Sequence, residues 1–443
     1  MDEALLHDLV RSALAAGADA AEAVASEGSS LSVGVRLGKL EDVEREERRD
    51  LGLRVFVGQR QAVVSGSDLS PPVLARLVER AVAMARLAPE DPYCGLAPAD
   101  RLAKGPGPEL ELYDPTELSP DTLEQAALAA EEAARAVPGV ANSEGAHAAW
   151  SSAAGRIVTS DGFSGFNRAT GFSLSASAIA EDENGMERGG EGRSTRRYAD
   201  LPTADFIGAE AGRRAVSRLG ARKIESRTAA VLFENRIATS ILSPFVGAIS
   251  GAAVARGVSF LKDKLGQPVF APGVRITDDP LRLRGLGSAW FDDEGVATRF
   301  RALVEDGVLT TWLLNSATAR QLGMETTGHA SRGLADAPGA GPHNLTLEPG
   351  PATPAELMQG AGEGLFVTSM FGPSLNANTG DWSAGVSGFW FEGGEIAYPV
   401  SEITVAGNLI ELYGRLVPAS DLEIRGASNA PSLLIDGLAV AGR

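Results

Sequence analysis

The fold of this chain is decided by residues 364–412, which read GLFVTSMFGPSLNANTGDWSAGVSGFWFEGGEIAYPVSEITVAGNLIEL. Two apolar runs, 387–391 and 395–400, flank Gly393-Gly394, a pattern typical of a β-hairpin whose tight turn requires positive φ angles. A further strand-like run at 403–406 follows, and a helix-like run covers 409–416. The stretch therefore predicts a dense β segment that is rich in turns.

The segments before this stretch predict an α+β protein of two domains, residues 1–222 and 223–443, divided at a short charged connection. Alternating apolar residues in the first domain predict strands. Two Ser-Pro pairs each predict the start of a helix, and the helices are expected near 70–87 and 120–136. We expect a mixed sheet with long helices there. The second domain is expected to be β-rich, antiparallel and barrel-like, with a helix at 237–254 that Pro244 kinks or splits.

The composition limits the classes of partner. The chain has 443 residues and a net charge of −18, which disfavours binding to nucleic acids or anionic membranes, because phosphate contacts need clustered Lys and Arg. Cys94 is the only cysteine, so no internal disulfide can form. No basic segment followed by an apolar core opens the sequence, and no run of about 18 apolar residues occurs. We therefore expect a cytoplasmic protein without a signal peptide or membrane span.

The four histidines do not predict a metal site. Zinc hydrolases often hold the ion with a pair of histidines on one helix and use a glutamate as base, and His7, His147, His329 and His343 show no such HExxH or HExxxH pattern. His329 and His343 share a Gly- and Pro-rich region, 326–351, that is expected to be a long surface loop. Unrelated loop histidines are the better interpretation.

Other nucleophiles and carboxylates give no catalytic pattern either. The chain contains no G-x-S-x-G elbow, no Walker A motif and no dinucleotide fingerprint. Two acidic clusters, 278–279 and 292–294, could hold a hard cation, but Asp before Pro or Gly is a common turn former. Cys94 lies in a Pro-rich loop and is interpreted as a structural or incidental thiol. From its motifs alone, the sequence predicts no active site.

Four segments resemble a known family over essentially the whole chain: 52–56 (GLRVF), 379–383 (TGDWS), 387–390 (SGFW) and above all 398–409 (YPVSEITVAGNL). Together they are similar to the TldD/PmbA family, also described as modulators of DNA gyrase, and within it to the TldE (PmbA) branch. The resemblance implies a cytoplasmic metalloprotease system of two related subunits. The TldD-like subunit carries an HExxxH zinc motif on a helix, and the TldE-like subunit lacks it.

In this sequence the corresponding helix is 241–248 (ILSPFVGA), where Ser243, Pro244 and Ala248 replace the His, Glu and His of the motif. None of the three supplies a zinc ligand of the usual type. The resemblance therefore implies no catalytic residue, no metal and no cofactor in this chain, and zinc in a TldD-like partner.

By the same resemblance, the expected function is that of a metal-free subunit in a complex that cleaves unfolded or small modified peptides. An edge strand binds an extended peptide through backbone hydrogen bonds. The expected groove residues for the peptide or the partner are Ser387, Gly388, Glu402, Thr404 and Asn408. The alternative is a non-proteolytic binding or scaffolding homodimer of the same fold. A hydrolase with an unrecognised site is a third class, and it would need a perturbed titratable cluster in a pocket.

Overall fold

The computed structural model describes residues 2–183 and 185–442. Its first half alternates long strands with four helices. In chain order these are α1 (Glu3–Ala15), β1 (Ala20–Arg36), β2 (Lys39–Val57), β3 (Arg60–Gly66), α2 (Pro71–Leu87), α3 (Pro120–Arg135), β4 (Val140–Thr159), β5 (Ser164–Asp182), β6 (Gly185–Thr195) and α4 (Ala204–Ser217). The two predicted helices, near 70–87 and 120–136, are thereby confirmed. The dipeptide Asn184-Gly185 is typical of a tight turn between strands, and its first residue, Asn184, lies outside the described residues.

The six strands of this half form one sheet in the order β3-β2-β1-β4-β5-β6. All five pairings are antiparallel, so the prediction of a mixed sheet in the first domain is wrong. The physical reason is the connectivity. Most neighbouring strands are joined by short turns, which produce antiparallel pairs, whereas parallel pairs need long crossovers.

One face of this sheet is covered by helices. The odd-numbered residues of β1 face that side: Ala21, Ala23 and Ala25 pack with α1 and α2, and Leu31, Val33 and Val35 pack with α3 and α4. Ser119 begins α3 by accepting a hydrogen bond from the N–H of Thr122 at 3.2 Å. The charged half of β2, from Lys39 to Arg49, is exposed, as expected for a solvated strand.

The second half has more and shorter elements. They are β7 (Arg227–Phe233), α5 (Asn235–Ala248), α6 (Gly251–Ala255), β8 (Ile276–Asp278), β9 (Arg301–Glu305), β10 (Val308–Leu309), α7 (Ser316–Gln321), β11 (Ala330–Ser331), β12 (Gly339–Ala340), β13 (Leu345–Leu347), α8 (Pro354–Ala361), β14 (Glu363–Leu375), β15 (Asp381–Glu392), β16 (Glu395–Asn408), α9 (Leu409–Tyr413), β17 (Val417–Pro418), β18 (Ser428–Asn429) and β19 (Leu433–Ala441).

A closed barrel of five strands dominates this half. The strands follow one another as β16-β15-β14-β7-β19, and β19 pairs with β16 to close the ring. Four pairings are antiparallel and one, between β14 and β7, is parallel. The predicted hairpin around Gly393-Gly394 joins β15 to β16, and both glycines have positive φ. The α+β class with a β-rich, barrel-like second domain is confirmed. The prediction that this domain is antiparallel is wrong for two pairs, since β14 pairs with β7 and β13 with β18 in parallel.

A second sheet, in the order β10-β9-β8-β13-β18, shares the large core of this half with the barrel and α5. Residues 326–351 were expected to form a surface loop, and that prediction is wrong. The segment contains β11, β12 and β13, and Thr326, Thr327 and His329 are buried. Its many Gly and Pro residues serve tight turns between very short strands.

The predicted helix at 237–254 is divided, but not at its proline. Helix α5 runs through Pro244 to Ala248, and Ser250 caps a separate helix, α6.

The two halves of the chain meet at a buried ion cluster. The Arg54 guanidinium lies 3.0 Å from the Glu22 carboxylate, which Arg332 of the second half also contacts. The predicted division at 222/223 stays a prediction. No helix in the described part of the chain is long and apolar enough to cross a membrane.

Candidate functional site

A cavity of about 370 Å³ opens beside helix α5. Its walls come from α5, from the segment that contains α6, and from the β14–β15 hairpin. The lining residues are Ser240, Ser243, Pro244, Gly247, Ala248, Ala253, Val258, Ser259, Phe260, Pro373, Leu375, Ala377 and Trp382. None of these side chains carries a charge, and most are apolar. A pocket of this kind suits an apolar side chain better than a polar or charged group.

Helix α5 places the three motif positions against this cavity. Ser243, Pro244 and Ala248 all line it. Ser243 is exposed and Pro244 is half-buried, whereas Ala248 is buried on the core side of the helix. The Ser243 hydroxyl donates to the backbone carbonyl of Thr239 at 3.2 Å. Pro244 and Ala248 offer only carbon atoms. A zinc ion needs nitrogen, thiolate or carboxylate ligands, so these residues do not fit a metal.

The hairpin wall of the cavity extends beyond the barrel. β7 pairs with β14 only over residues 364–367, whereas β15 pairs with β14 up to Leu375. Among the described residues, 369–375 of β14 therefore have a strand partner on one side only. Phe371 and Leu375 on this edge are 54% and 40% exposed. An open strand edge with exposed apolar side chains thus lies next to the cavity.

Asn408 supports the tip of this hairpin. Its side-chain amide donates to the Thr379 carbonyl at 2.9 Å and to Asp381 Oδ1 at 3.0 Å, and its own oxygen caps α9. Hydrogen bonds from Asn408 and Thr379 hold the pKa of Asp381 below its usual value. Asn408 does not line the cavity, but it holds the loop that carries Ala377, which does.

The other predicted groove residues lie elsewhere on the barrel. Ser387 and Glu402 flank the irregularity where Val386 pairs with Ile403 and Gly388 with Val400. The exposed carboxylate of Glu402 contacts Lys223, and Thr404 is exposed on β16. None of these residues lines the cavity beside α5.

Gly388 has a structural reason to be glycine. A Cβ atom there would lie 1.9 Å from the Phe366 carbonyl oxygen of the neighbouring strand. Gly388 therefore serves the close contact of β15 with β14 and does not need a bound peptide to explain it.

Sequence reasoning missed one group of side chains. Asp278 Oδ2 lies 3.0 Å from His329 Nε2 and 3.2 Å from His343 Nδ1. Burial would raise the pKa of Asp278, but hydrogen bonds from His329 and His343 outweigh it and hold that pKa well below its usual range. The two histidines are 51 and 65 residues from Asp278 in the sequence, on irregular segments, so no periodic pattern could have brought them together.

The second acidic cluster behaves as the sequence predicts. Asp292 Oδ1 accepts from the backbone N–H groups of Glu294 and Val296, at 3.0 and 2.9 Å, and Oδ2 accepts from Ala330 at 2.9 Å. Burial and the neighbouring carboxylate of Glu294 raise the pKa of Asp292 to about 8. These contacts fix a buried turn, and they leave few lone pairs for a cation.

Comparison with family models covers nearly the whole chain. Residues 21–85 match the PmbA/TldA metallopeptidase domain 1, residues 113–219 match the central domain, and residues 226–442 match the C-terminal domain. The curated protein named metalloprotease PmbA from Escherichia coli O157:H7 is 38% identical over 446 residues, 99% of this chain and 96% of that protein. A metalloprotease PmbA homolog from Haemophilus influenzae is 39% identical over 98% of this chain and 94% of its own length.

Solved structures show the same fold. A proposed modulator of DNA gyrase from Bacteroides thetaiotaomicron aligns with a TM-score of 0.92 at 28% identity, over 100% of this chain and 99% of that chain. TldE from Thermococcus kodakarensis aligns with a TM-score of 0.86 over 99% and 100% of the two chains. At 20% identity, the second likeness supports the fold alone.

Proposed function

This chain belongs to the PmbA/TldD metallopeptidase family, and on that premise we propose that it is the subunit without catalytic zinc in a two-chain peptidase. The catalytic ion belongs to a TldD-like partner that carries HExxxH, and the pair cleaves unfolded or small peptides. The observation that carries this proposal is the face of α5. Ser243, Pro244 and Ala248 line the cavity where ligands would be needed, and none can coordinate zinc.

The chemistry of the cavity supports a role in holding peptide. An apolar pocket of about 370 Å³ accepts one large side chain, such as Leu or Phe, and gains free energy by removing it from water. Because none of the lining residues carries a charge, the cavity does not discriminate between peptides by their charged residues. Such a pocket favours unfolded chains, because they present more apolar side chains to solvent than folded proteins do.

The open edge of β14 supports the same role. Residues 369–375 can add an extended peptide as a further strand through backbone hydrogen bonds, which read conformation and not sequence. Pro373 lacks an N–H, so this position cannot donate a hydrogen bond to an added strand. The expected peptide contacts therefore move from Ser387, Gly388, Glu402 and Thr404 to 369–375 and the cavity, with Asn408 as support.

Filling the cavity tests this proposal. Gly247 lines the cavity on α5, and a Cβ atom built there would have no neighbour within 4 Å, so Gly247→Leu adds a side chain at the cavity wall. We expect the reconstituted pair to lose about tenfold or more in kcat/KM for an unfolded peptide, mainly through KM, since tenfold corresponds to about 1.4 kcal/mol of binding. Steady-state peptide hydrolysis measures this.

Gly360→Leu is the matched control, because Gly360 lies on α8 with equally open space and does not line the cavity. Both variants exchange a helical glycine for leucine, so both should fold with unchanged or raised thermal stability. Equal activity of the pair with either variant would contradict a role of the cavity in binding peptide.

A further inference from the structure

A cluster of one carboxylate and two imidazoles lies in the second half of the chain, apart from the cavity beside α5. Asp278 ends β8, His329 precedes β11, and His343 lies between β12 and β13. The nearest ligand atoms of the three side chains all lie within 4.8 Å of one another. Asp278 and His329 are buried, whereas the His343 side chain is 11% exposed and gives the cluster an edge that solvent reaches.

We propose that Asp278, His329 and His343 bind a divalent first-row transition cation such as zinc. The ligand atoms are Asp278 Oδ2, His329 Nε2 and His343 Nδ1. Two imidazoles and a carboxylate are a common ligand set for such cations, with bonds of about 2.0–2.2 Å. Tetrahedral bonds of that length place ligand atoms roughly 3.3 Å apart, by the geometry of the bonds in. The separations of 3.0 and 3.2 Å around Asp278 Oδ2 are close to this value, and the two histidine nitrogens, which lie within 4.8 Å of each other, have to move together when the ion binds.

The partners of His329 allow the required tautomer. Zinc binding at Nε2 moves the ring proton to Nδ1, which lies 2.8 Å from the Thr327 hydroxyl oxygen. The Thr327 hydroxyl oxygen can accept a hydrogen bond from Nδ1–H, since its own hydrogen can be donated to the Leu314 carbonyl at 3.2 Å. Metal-bound histidines in proteins usually donate their second ring nitrogen to such a partner.

Backbone contacts also prepare the carboxylate. The N–H of His343 donates to Asp278 Oδ1 at 2.9 Å, which fixes the carboxylate and leaves Oδ2 for the cation. Arg301 lies behind the site, where its Nε donates to the Thr327 carbonyl at 3.0 Å. Its positive charge opposes any cation and lowers the affinity of the site. The two nitrogen ligands favour transition ions over Ca²⁺ or Mg²⁺, which need more oxygen ligands.

The competing account is a hydrogen-bonded network that holds β8 to the neighbouring segments without any metal. Zinc titration of the metal-stripped full chain separates the two accounts, measured by calorimetry, and Co²⁺ substitution reports coordination through visible absorbance. We expect one equivalent of zinc and a rise in Tm on binding. Asp278→Asn and His343→Ala should each lower the affinity by more than the roughly 10–100-fold loss typical of an outer partner.

Thr327 provides the positioning test. Thr327→Val removes the acceptor for the Nδ1 proton and should lower zinc affinity about 10–100-fold, whereas Thr327→Ser keeps the hydroxyl and should restore it. His7→Ala and His147→Ala are controls, because neither histidine belongs to the cluster, and both variants should keep one equivalent. Substoichiometric zinc binding to the parent chain, or unchanged affinity in Asp278→Asn and His343→Ala, would overturn the proposal.

Discussion

Glu131 shows how one buried carboxylate fixes a turn. Leu37 and Gly38 form the turn between β1 and β2, and both have positive φ angles. Their backbone N–H groups need acceptors outside the turn. Both donate to Glu131 of α3, at 2.7 Å each. Burial would raise the pKa of Glu131, but hydrogen bonds from Ser143, Gly38 and Leu37 outweigh it and lower that pKa. The carboxylate therefore ties a helix to the end of a hairpin.

We expect Glu131→Gln to lower the free energy of unfolding by about 1.5–3 kcal/mol at pH 7, the usual contribution of hydrogen bonds to a charged group. Because the folded pKa is lowered, this contribution is present above the unfolded value near 4.3 and is lost as the pH falls through the folded value. Urea unfolding at pH 7 and pH 4 measures both effects. The difference between variant and parent should shrink at pH 4.

Glu132→Gln is the control on the same helix, since Glu132 is exposed. Its effect should stay within about 0.5 kcal/mol at both pH values. A Glu131→Gln variant as stable as the Glu132→Gln variant at pH 7 would contradict the role assigned to Glu131.

At the scale of single residues, the sequence revealed the missing zinc motif of α5 more readily than the cluster of Asp278, His329 and His343. A zinc motif on one helix has fixed spacing, so its replacement by Ser243, Pro244 and Ala248 is visible once the family is identified. Asp278, His329 and His343 meet only through tertiary structure, because very short strands and irregular turns separate them. No local pattern encodes such a meeting, and the histidines therefore read as unrelated.

Helix α5 illustrates how an element can keep its course against local preference. A proline inside a helix removes one backbone hydrogen bond and crowds the preceding turn, yet α5 continues through Pro244 to Ala248. Its core face explains this: Ile241, Leu242 and Phe245 are buried, and the Tyr413 hydroxyl donates to the Ile241 carbonyl at 2.9 Å. Packing therefore keeps the helix intact here. Local preference, which is what the sequence shows, predicts a break at Pro244 and not after Ala248.

We expect Pro244→Ala to stabilise the chain, because residue 244 could then donate to the Ser240 carbonyl. The gain in the free energy of unfolding should be up to about 3 kcal/mol, the difference between Pro and Ala in a helix interior. Thermal and urea denaturation measure it. Pro354→Ala is the control, since Pro354 opens α8 at a position where proline is tolerated and should give little change. A loss of stability in Pro244→Ala would contradict this account of α5.

At the scale of the whole molecule, buried charges join the antiparallel sheet of the first half to the second half, whose sheets are mostly antiparallel. Glu22 and Arg54 of the first sheet meet Arg332 of the second half. Alternation and turn residues predict such strands well, so the α+β class and the barrel were accessible from the sequence. The strand order was not, since the parallel β14–β7 pair and the closure of β19 on β16 join distant segments.

The placement of the site also depends on the whole molecule. The cavity requires α5, the segment around α6 and the β14–β15 hairpin at once. The sequence identified the hairpin region and the helix separately, but it assigned the groove to residues of β15 and β16 that face elsewhere. The central proposal is that this chain contributes an apolar peptide site and that a partner chain contributes the catalytic zinc.

The most direct test is peptide hydrolysis by this chain alone and in a purified complex with a TldD-like partner that carries HExxxH. Both samples are loaded with zinc and measured on an unfolded peptide before and after a chelator is added. The account predicts no cleavage by this chain alone and zinc-dependent cleavage by the complex, which the chelator abolishes. Cleavage by this chain alone that the chelator abolishes would contradict it.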